Sequence, residues 1–255
     1  MKKIISILFF TGVCLTSFAQ IPQLARPATP QNELVFAFRP GMSVVDRIAF
    51  DGYAEANKHV NDPDVIFIGD SITQFWYVIN PDFFDNNGFI CRGIGGQTSL
   101  AMLSRFYQDV VRNNPKVVVI MIGTNDVAQN DGVIKDENYL DNIAAACDIA
   151  RQNGIKVILC SIPPCDGFSW NDKVDPVTDI ARLNGMLESY AAEKDIQYVD
   201  FFPVLSNGKG GLKDDYTVDR CHPTGVAYNA MELVIVKEIN KALGNDVNYY
   251  VTEYF

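Results

Sequence analysis

Short apolar runs and longer amphipathic stretches alternate along the chain from Asp64 onward. The short runs are rich in β-branched residues, which is typical of buried strands, whereas the stretches between them have the apolar spacing of helices. The predicted strands are Val65–Ile68, Phe89–Cys91, Val117–Met121, Val157–Cys160 and Tyr198–Phe202. The predicted helices are Leu100–Val111, Tyr139–Gln152, Ile180–Glu193 and Val226–Leu243. This alternation predicts an α/β fold with a parallel sheet and helices on both faces, and it places ligands beyond the carboxyl ends of the strands.

The first twenty residues have a different pattern from the rest of the chain. Two lysines precede the apolar run Ile4–Val13, and a small-x-small site that ends at Ala19 follows it. This order is typical of a secretory signal peptide, here cleaved after Ala19. Cys14 raises the alternative of a lipoprotein, but a small residue normally precedes an acylated cysteine and Val13 stands there. We therefore expect a secreted or periplasmic protein.

The remainder divides into an extension, one domain and a tail. Residues 20–60 are the N-terminal extension, 61–245 the α/β domain and 246–255 an aromatic tail, after the signal peptide of residues 1–19. Within the extension, Ser43–Lys58 has helical apolar spacing. The tail has no helical pattern, so an added strand, a packing clasp and a dimer contact all remain open, and with them the oligomeric state.

Composition narrows the range of partners. The 255 residues are 48% hydrophobic, which is enough for one large core, and the predicted mature chain has no membrane-spanning apolar stretch. The formal net charge is −10 and Lys and Arg form no run, so we expect no binding of nucleic acid or of anionic membranes.

The predicted mature chain, after the cleavage site, has an odd number of cysteines, so at least one thiol is free in a monomer. We expect mostly buried thiols, although Cys165 and Cys221 lie in loops and could pair in an oxidising compartment. The cysteines are Cys91, Cys147, Cys160, Cys165 and Cys221.

Two motifs that could take part in catalysis or binding follow the first two predicted strands. Gly-Asp-Ser at 69–71 comes directly after the first strand. Ser71 is therefore expected at the start of a helix, either as an exposed nucleophile or as a helix N-cap. The Gly-rich loop 93–98 follows the second strand and would let a backbone N–H approach a substrate closely. A dinucleotide-binding loop would need Gly or Ala where Thr98 stands, and a structural tight turn is the other alternative.

Two further motifs lie after the third strand and near the C-terminus. In Gly-Thr-Asn-Asp at 123–126, the Asn125 amide can donate to a developing oxyanion, although an Asx turn is the commoner role of such a residue. Asp219 and His222 are three residues apart, so the carboxylate can fix the tautomer of the imidazole. The other histidine, His59, lies in a polar, helix-like stretch and is expected on a solvated face.

The four motifs in this order resemble the four blocks of the SGNH, or GDSL-type, hydrolase superfamily over residues 64–243. The resemblance implies a single-domain, three-layer α/β/α sandwich with a flavodoxin-like parallel sheet of about five strands. It implies an acyl-enzyme mechanism in which Ser71 attacks and His222 is the base with Asp219 as its partner, and it implies no metal or organic cofactor. The implied catalytic residues are Ser71, Asp219 and His222, and the implied oxyanion donors are Ser71, Gly96 and Asn125.

Two departures from the superfamily pattern stand close to the histidine. After His222, members often have Pro-Asn-x-x-Gly-Tyr, whereas this chain has Ala227 in place of the glycine. Before His222, where Gly-Leu is frequent, stand Arg220 and Cys221. Neither change falls on an implied catalytic position, so both bear on the rim of the pocket and on the substrate rather than on the mechanism.

The resulting expectation is a secreted serine esterase that acts on a small-molecule or glycan acyl ester. The versions Gly-Asp-Ser-Ile-Thr and Gly-Ile-Gly-Gly-Gln-Thr are similar to those of the acetylhydrolase and carbohydrate-esterase branch, which favours acetyl groups on carbohydrate. A lipid-type esterase of the lysophospholipase or thioesterase kind is the next alternative. A non-catalytic carbohydrate-binding module on the same fold is the third.

Two other enzyme classes fit the residues less well. An α/β-hydrolase would carry Gly-x-Ser-x-Gly, whereas Thr73 stands at the fifth position here. A metal phosphoesterase could use Asp70, Asp126 and His222, but a dinuclear site usually draws on more imidazoles than the two histidines of this chain supply.

Overall fold

The structure, a computed structural model, describes residues 28–36, 42, 43, 46 and 48–254. The predicted signal peptide, with its cleavage site at Ala19 and the lipoprotein alternative at Cys14, lies outside the described residues. Within the described residues, no helix is both long and apolar enough to cross a bilayer.

A single parallel sheet forms the centre of the fold. Its strands are β1 (Val65–Gly69), β2 (Ile90–Gly93), β3 (Val117–Met121), β4 (Lys156–Cys160) and β5 (Gln197–Val199). Neighbouring strands are parallel throughout and follow the order β2-β1-β3-β4-β5. This order confirms the predicted α/β fold with a flavodoxin-like sheet. The strand order reverses at β1, and open α/β sheets bind ligands at such a point, beyond the carboxyl ends of the strands.

Helices cover both faces of the sheet. They are α1 (Ala54–Asn57), α2 (Ser71–Ile79), α3 (Pro81–Asp85), α4 (Ser99–Asp109), α5 (Thr124–Val127), α6 (Asp136–Gln152), α7 (Pro176–Lys194), α8 (Phe202–Leu205) and α9 (Gly225–Leu243). Short 3-10 helices occur at Pro30–Asn32, Val111–Asn113 and Asp214–Tyr216. Helices α4, α6 and α7 share one hydrophobic core with the sheet, and α2 and α9 share the other.

Strand β1 shows why a strand in the interior of this sheet is apolar without interruption. Successive side chains of a strand point to opposite faces, so Ile66 and Ile68 enter the core with α4, α6 and α7. Val65 and Phe67 enter the core with α2 and α9, where the Phe67 ring lies 5.5 Å from that of Trp76. Both faces are buried, so no position of β1 has to be polar.

Several predicted element boundaries differ from those observed by a few residues, and two of these differences have a clear physical cause. Strand β5 ends at Val199 rather than at Phe202, because Phe202 begins α8 and Pro203 in its first turn has no N–H for a strand ladder. The predicted helix Ser43–Lys58 is interrupted, since Ala49 has a left-handed φ of 51° and residues 50–53 form turns before α1. Residues 44, 45 and 47 of that stretch lie outside the described chain.

The aromatic tail packs back onto the domain as a clasp. Asn87 exchanges two hydrogen bonds with the backbone of Tyr250, donating to its carbonyl oxygen and accepting from its N–H, each at 2.8 Å. The buried carboxylate of Glu232 accepts from the N–H of Thr252 at 2.7 Å. Residues 246–254 are not paired as a strand. Of the three roles left open by the sequence, these contacts show the packing clasp.

The cysteines of the described chain are buried free thiols. A hydrogen bond with the Cys165 thiol, together with burial, raises the pKa of Cys221. Cys165 and Cys221 are therefore neighbours, as their possible pairing requires, but in this structure they are in thiol contact rather than in a disulfide.

Candidate active site

The four motifs come together at the carboxyl edge of the sheet. Residues 69–71 end β1 and begin α2, loop 93–98 follows β2, and residues 123–126 follow β3. Gly69 is in register with Gly93 on β2 and with Met121 on β3, so the three loops start at one level. The fourth motif lies in the connection between α8 and α9 and brings His222 to Ser71.

Ser71 is the first residue of α2, but it does not serve as the N-cap. That role belongs to Asp70, whose Oδ1 accepts from the backbone N–H of Ile72 at 2.9 Å. The Ser71 hydroxyl is instead 3.0 Å from His222 Nε2. The structure thus removes the capping alternative for Ser71 and places its hydroxyl beside an imidazole nitrogen.

His222 is held by a carboxylate on its other side. Its Nδ1 lies 2.7 Å from Asp219 Oδ2, while Asp219 Oδ1 accepts from the backbone N–H groups of His222 at 2.8 Å and of Cys221 at 3.1 Å. Burial by itself raises the pKa of Asp219, but the hydrogen bond and the charge of His222, with these backbone bonds, lower it to about 2. An ionised carboxylate at Nδ1 favours the tautomer that carries its proton there. The Nε2 lone pair then faces Ser71.

Arg220, one of the two departures from the superfamily pattern, is conformationally strained. Its φ of 74° lies in the left-handed region. Glycine is favoured there because a Cβ costs roughly 1 kcal/mol. The Arg220 side chain reaches the loop after β4, where its Nε donates to Asp166 Oδ1 at 2.9 Å and its guanidinium also donates to the Asp166 carbonyl oxygen. These bonds connect the loop that carries His222 to the loop after β4. The connection is made at Arg220, where the backbone is strained.

The Gly-rich loop approaches Ser71 through Gly95. A Cβ added to Gly95 would lie in van der Waals contact with Ser71 Cβ, at 3.6 Å, and would crowd Gln74 Oε1, at 3.0 Å. The Gly95 N–H donates to Gln74 Oε1 at 2.8 Å. Gly96 has a φ of 79°, and its role as an oxyanion donor stays a prediction. Sequence reasoning missed Gly95 and Gln74, although the paired glycines and a polar residue one helical turn after Ser71 were visible signals.

Asn125 is buried in the first turn of α5. Its Nδ2 donates to the carbonyl oxygen of Gln97 at 3.1 Å and to Asp70 Oδ2 at 3.3 Å. Its Oδ1 accepts from Asn130 Nδ2 at 2.6 Å. The amide nitrogen therefore faces the residues around Ser71 and the amide oxygen faces away from them. This orientation is the one that an oxyanion donor requires.

The two aspartates of the metal-site alternative bind protein donors. Asp126 accepts from the N–H of Ser99 at 2.8 Å and from its hydroxyl at 2.6 Å, which fixes the start of α4. Asp70 accepts from Ile72 and Asn125. Burial raises the pKa of Asp126 to about 7 and that of Asp70 to about 6. Over the part of the chain that the structure describes, no three His, Cys, Asp or Glu residues form a group that could hold a metal ion.

Two aromatic rings flank the imidazole of His222. The ring of Phe75, from α2, lies 5.2 Å away and that of Trp170 lies 6.0 Å away. Trp170 packs on Phe168 at 5.1 Å and remains 38% exposed. Its indole N–H donates to Asn130 Oδ1 at 3.0 Å. We call Phe75, Phe168 and Trp170 the aromatic wall. Sequence reasoning missed it because the loop after β4 has no periodic pattern. The available signal was the aromatic pair Phe168 and Trp170 in that loop.

His59 is remote from these contacts. Half of its side chain is exposed, and its Nε2 lies 3.9 Å from Glu55. This position agrees with the solvated face expected from the sequence.

Comparisons with known proteins bear on the whole of this region. Residues 67–230 match the GDSL-like Lipase/Acylhydrolase family. A solved structure from Bacteroides fragilis NCTC 9343, named as an acylhydrolase, is 40% identical with a TM-score of 0.74, over 77% of this chain and 98% of that one. A GDSL-like lipase from Bacteroides thetaiotaomicron VPI-5482 is 39% identical with a TM-score of 0.74, over 76% and 98% of the two chains. Human platelet-activating factor acetylhydrolase IB subunit alpha2 is 27% identical over 178 residues, which are 66% of this chain and 72% of that protein.

Proposed function

The chain belongs to the GDSL-like Lipase/Acylhydrolase family, and we propose that it is a secreted serine esterase that removes short acyl groups, acetyl above all, from carbohydrate. Membership of this family confirms the resemblance that was identified from the four motifs, and it supports ester hydrolysis as the reaction. The serine mechanism, the acetyl group, the carbohydrate and secretion are the parts that need support of their own.

The observation that carries the proposal is the hydrogen-bonded series Asp219–His222–Ser71, with contacts of 2.7 Å and 3.0 Å. As Ser71 Oγ attacks the ester carbonyl carbon, its proton moves to His222 Nε2, and ionised Asp219 stabilises the resulting imidazolium. The bond from the carbonyl carbon to the alcohol oxygen then breaks, and Nε2 gives its proton to the departing alcohol. Water repeats the sequence on the acyl-enzyme, which releases the carboxylic acid and restores the serine.

The negative charge of the tetrahedral intermediate needs donors on the side away from His222. We assign this role to the N–H groups of Ser71 and Gly96 and to Asn125 Nδ2. Of the two bonds that Nδ2 makes, the contact with Asp70 is the longer, at 3.3 Å, and is the one that an oxyanion would replace. Gly95, which lies against Ser71, is a further candidate once a substrate displaces Gln74 from its N–H.

The support for an acetylated carbohydrate comes from two directions. The serine and Gly-loop motifs are similar to those of acetylhydrolases, and one relative is named as an acetylhydrolase. The departing alcohol must lie close to His222 Nε2, which protonates it, and Trp170 offers a partly exposed aromatic face beside that imidazole. A flat apolar face with polar groups around it suits the ring of a sugar.

A longer-chain lipid ester is the second candidate. The observation in its favour is that one of the most similar solved structures is named as a GDSL-like lipase. The two candidates differ in where activity falls along a series of acyl chain lengths.

The first test is Ser71→Ala, with Ser104→Ala on the exposed face of α4 as the matched control. We expect Ser71→Ala to lower kcat on nitrophenyl acetate by about 10⁶-fold, because the nucleophile is lost. Melting temperature should change little, since Asp70 provides the helix cap. Wild type should release a burst of nitrophenol as the acyl-enzyme accumulates. A folded Ser71→Ala variant with the activity of the Ser104→Ala control would overturn the serine mechanism.

The second test compares nitrophenyl esters of increasing chain length with acetate release from acetylated xylan. We expect the highest kcat/KM at acetate and measurable release from the glycan. A rise in kcat/KM toward long chains would reject the acetyl assignment in favour of the lipid ester. Secretion is checked on protein recovered outside the cytoplasm, whose N-terminal sequence should begin at Gln20.

A further inference from the structure

A series of hydrogen bonds joins the aromatic wall to the amide of Asn125. The indole N–H of Trp170 donates to Asn130 Oδ1 at 3.0 Å, and Asn130 Nδ2 donates to Asn125 Oδ1 at 2.6 Å. These three residues come from the loop after β4, the loop after α5 and the first turn of α5. We call them the amide relay.

The relay has a direction because its first member can only donate. An indole N–H has no acceptor capacity, so the atom of Asn130 that faces Trp170 has to be its oxygen. The nitrogen of Asn130 then faces Asn125 and requires an oxygen there in turn. This leaves the nitrogen of Asn125 on the opposite side, where it donates to Gln97 and Asp70.

Together with the acceptors Gln97 and Asp70 on the other side of the amide, that direction fixes the orientation in which Asn125 can stabilise an oxyanion. The oxygen and nitrogen of a primary amide have nearly the same shape, so packing alone does not separate the two orientations that differ by half a turn. Turned round, Asn125 would present a carbonyl oxygen to the developing negative charge and would repel it. Preorganised donors are effective because they need no reorganisation during the reaction.

We propose that Asn130 is a positioning residue for the oxyanion donor Asn125, and that the indole N–H of Trp170 sets the orientation of both amides. The inference rests on the proposed function, in which Asn125 is that donor. It also gives the aromatic wall a second role. Trp170 lies 6.0 Å from His222 and is 38% exposed, so it links the surface that meets the substrate to the amide behind the serine.

The test is Asn130→Asp, measured beside Asn125→Ala. An aspartate has the size of Asn130 but no amide N–H, so its carboxylate cannot donate to Asn125 Oδ1 and attracts Asn125 Nδ2 instead. We expect kcat to fall by about 10²-fold with KM little changed, which is the pattern of an interaction made in the transition state. Asn153→Asp, on the exposed end of α6, is the matched control and should keep the wild-type kcat.

Three further measurements separate a positioning role from a structural one. Asn125→Ala should itself lower kcat by about 10²–10³-fold. The double variant Asn125→Ala/Asn130→Asp should be no slower than Asn125→Ala, because the relay acts through Asn125. Trp170→Phe keeps a ring beside His222 but removes the N–H, and it should lower kcat several-fold in the same manner. This surface variant keeps the proposal testable if Asn130→Asp fails to fold.

Different failures reject different statements. If Asn130→Asp lowers the melting temperature but keeps kcat per folded molecule while Asn125→Ala is slow, the relay is wrong and the oxyanion assignment stands. If Asn125→Ala keeps the wild-type kcat, the oxyanion role of Asn125 is wrong and the relay falls with it. Additive losses in the double variant would show that Asn130 acts by another route, and would also overturn the relay.

Discussion

Ser71 and His222 share one hydrogen bond, but the structures that hold the two residues differ. Ser71 stands at the end of a buried strand, on what we call the strand side of the site, residues 69–71, 93–98 and 123–126. Gly69 has no room there for a Cβ, which would meet the Met121 carbonyl oxygen. The Gly69 carbonyl accepts from the buried guanidinium of Arg105 at 3.0 Å and from the N–H of Ile94 at 3.1 Å.

His222 stands in the histidine loop, residues 214–224, which is not part of the sheet. Its neighbours there are close in sequence: Asp219 accepts from the backbone and the ring of His222, and Thr217 forms an isolated bridge with Pro223. A bond to Asp166 through Arg220 connects this loop to the loop after β4.

Each side is therefore expected to control a different property. Apart from the reacting groups of Ser71 and Asn125, the contacts on the strand side join residues far apart in the chain and are buried, so a change in these supporting contacts is expected to act first on stability. Contacts in the histidine loop set the orientation of one ring, so a change there is expected to act first on rate. Substitutions on the two sides test this division.

Among substitutions that leave Ser71 in place, Asp219→Asn should give the largest change in rate. An asparagine can donate its N–H to Nδ1, which moves the ring proton to Nε2 and leaves no lone pair toward Ser71. We expect kcat to fall by about 10⁴-fold, the cost of the wrong tautomer in a Ser-His-Asp site. Steady-state kinetics on nitrophenyl acetate, beside circular dichroism at the same pH, measures both quantities.

Asp219→Asn should also cost some stability, with a defined dependence on pH. The pKa of Asp219 is lowered to about 2, so its contribution is present above the unfolded-state value near 4 and is lost as pH falls through 2. Its size at neutral pH is about 2 kcal/mol. A variant that kept wild-type kcat would break the division, because the histidine loop would then not control the rate.

Asp126→Asn should change stability on the strand side with the opposite pH dependence. Burial raises the pKa of Asp126 to about 7, so the stabilisation from its protonated form is complete below the unfolded value near 4 and is lost as pH rises through 7. An asparagine can still accept from the Ser99 N–H and donate to its hydroxyl without any charge. Between pH 4 and pH 7.5 the free energy of unfolding should fall less in the variant than in wild type. We expect the two falls to differ by on the order of 3 kcal/mol.

Urea denaturation at the two pH values measures this effect. Asp70, whose pKa is also raised, remains in the variant and leaves a smaller slope of the same sign. Equal slopes in wild type and Asp126→Asn would contradict the assignment of a buried, partly protonated carboxyl to the strand side.

The sequence was most informative on the strand side. Uninterrupted apolar runs such as Val65–Ile68 identify strands buried on both faces, and their alternation with helices predicts the layers and the parallel sheet. Motifs that directly follow such strands are placed by the strands themselves. For that reason the positions of Ser71 and Asn125 at the carboxyl edge of the sheet could be predicted from the sequence alone.

Features that depend on contacts between loops could not be predicted in the same way. The relay through Trp170 and Asn130 joins two loops without periodic pattern, and nothing in either loop points to the other. The left-handed backbone at Arg220 had no local sign, since an arginine shows no preference for a positive φ, and the glycine frequent there in the superfamily was the only signal. The helix N-cap is Asp70 rather than Ser71. This is a difference of one residue, and helix ends are not predicted from sequence more closely than that.

Arg220→Gly should give the smallest change and is the most direct probe of how the histidine loop is held. Glycine relieves roughly 1 kcal/mol of left-handed strain, but it loses the exposed pair with Asp166, worth up to about 1 kcal/mol. We therefore expect stability within about 1 kcal/mol of wild type. Arg220→Ala loses the same pair and keeps the Cβ, so it should be about 1 kcal/mol less stable than the glycine variant. Urea denaturation of the two variants isolates the strain, because the Asp166 bonds are absent from both. Equal stabilities would show that φ at residue 220 relaxes once the arginine is gone, and the bonds to Asp166 would then be what imposes the strain on the loop.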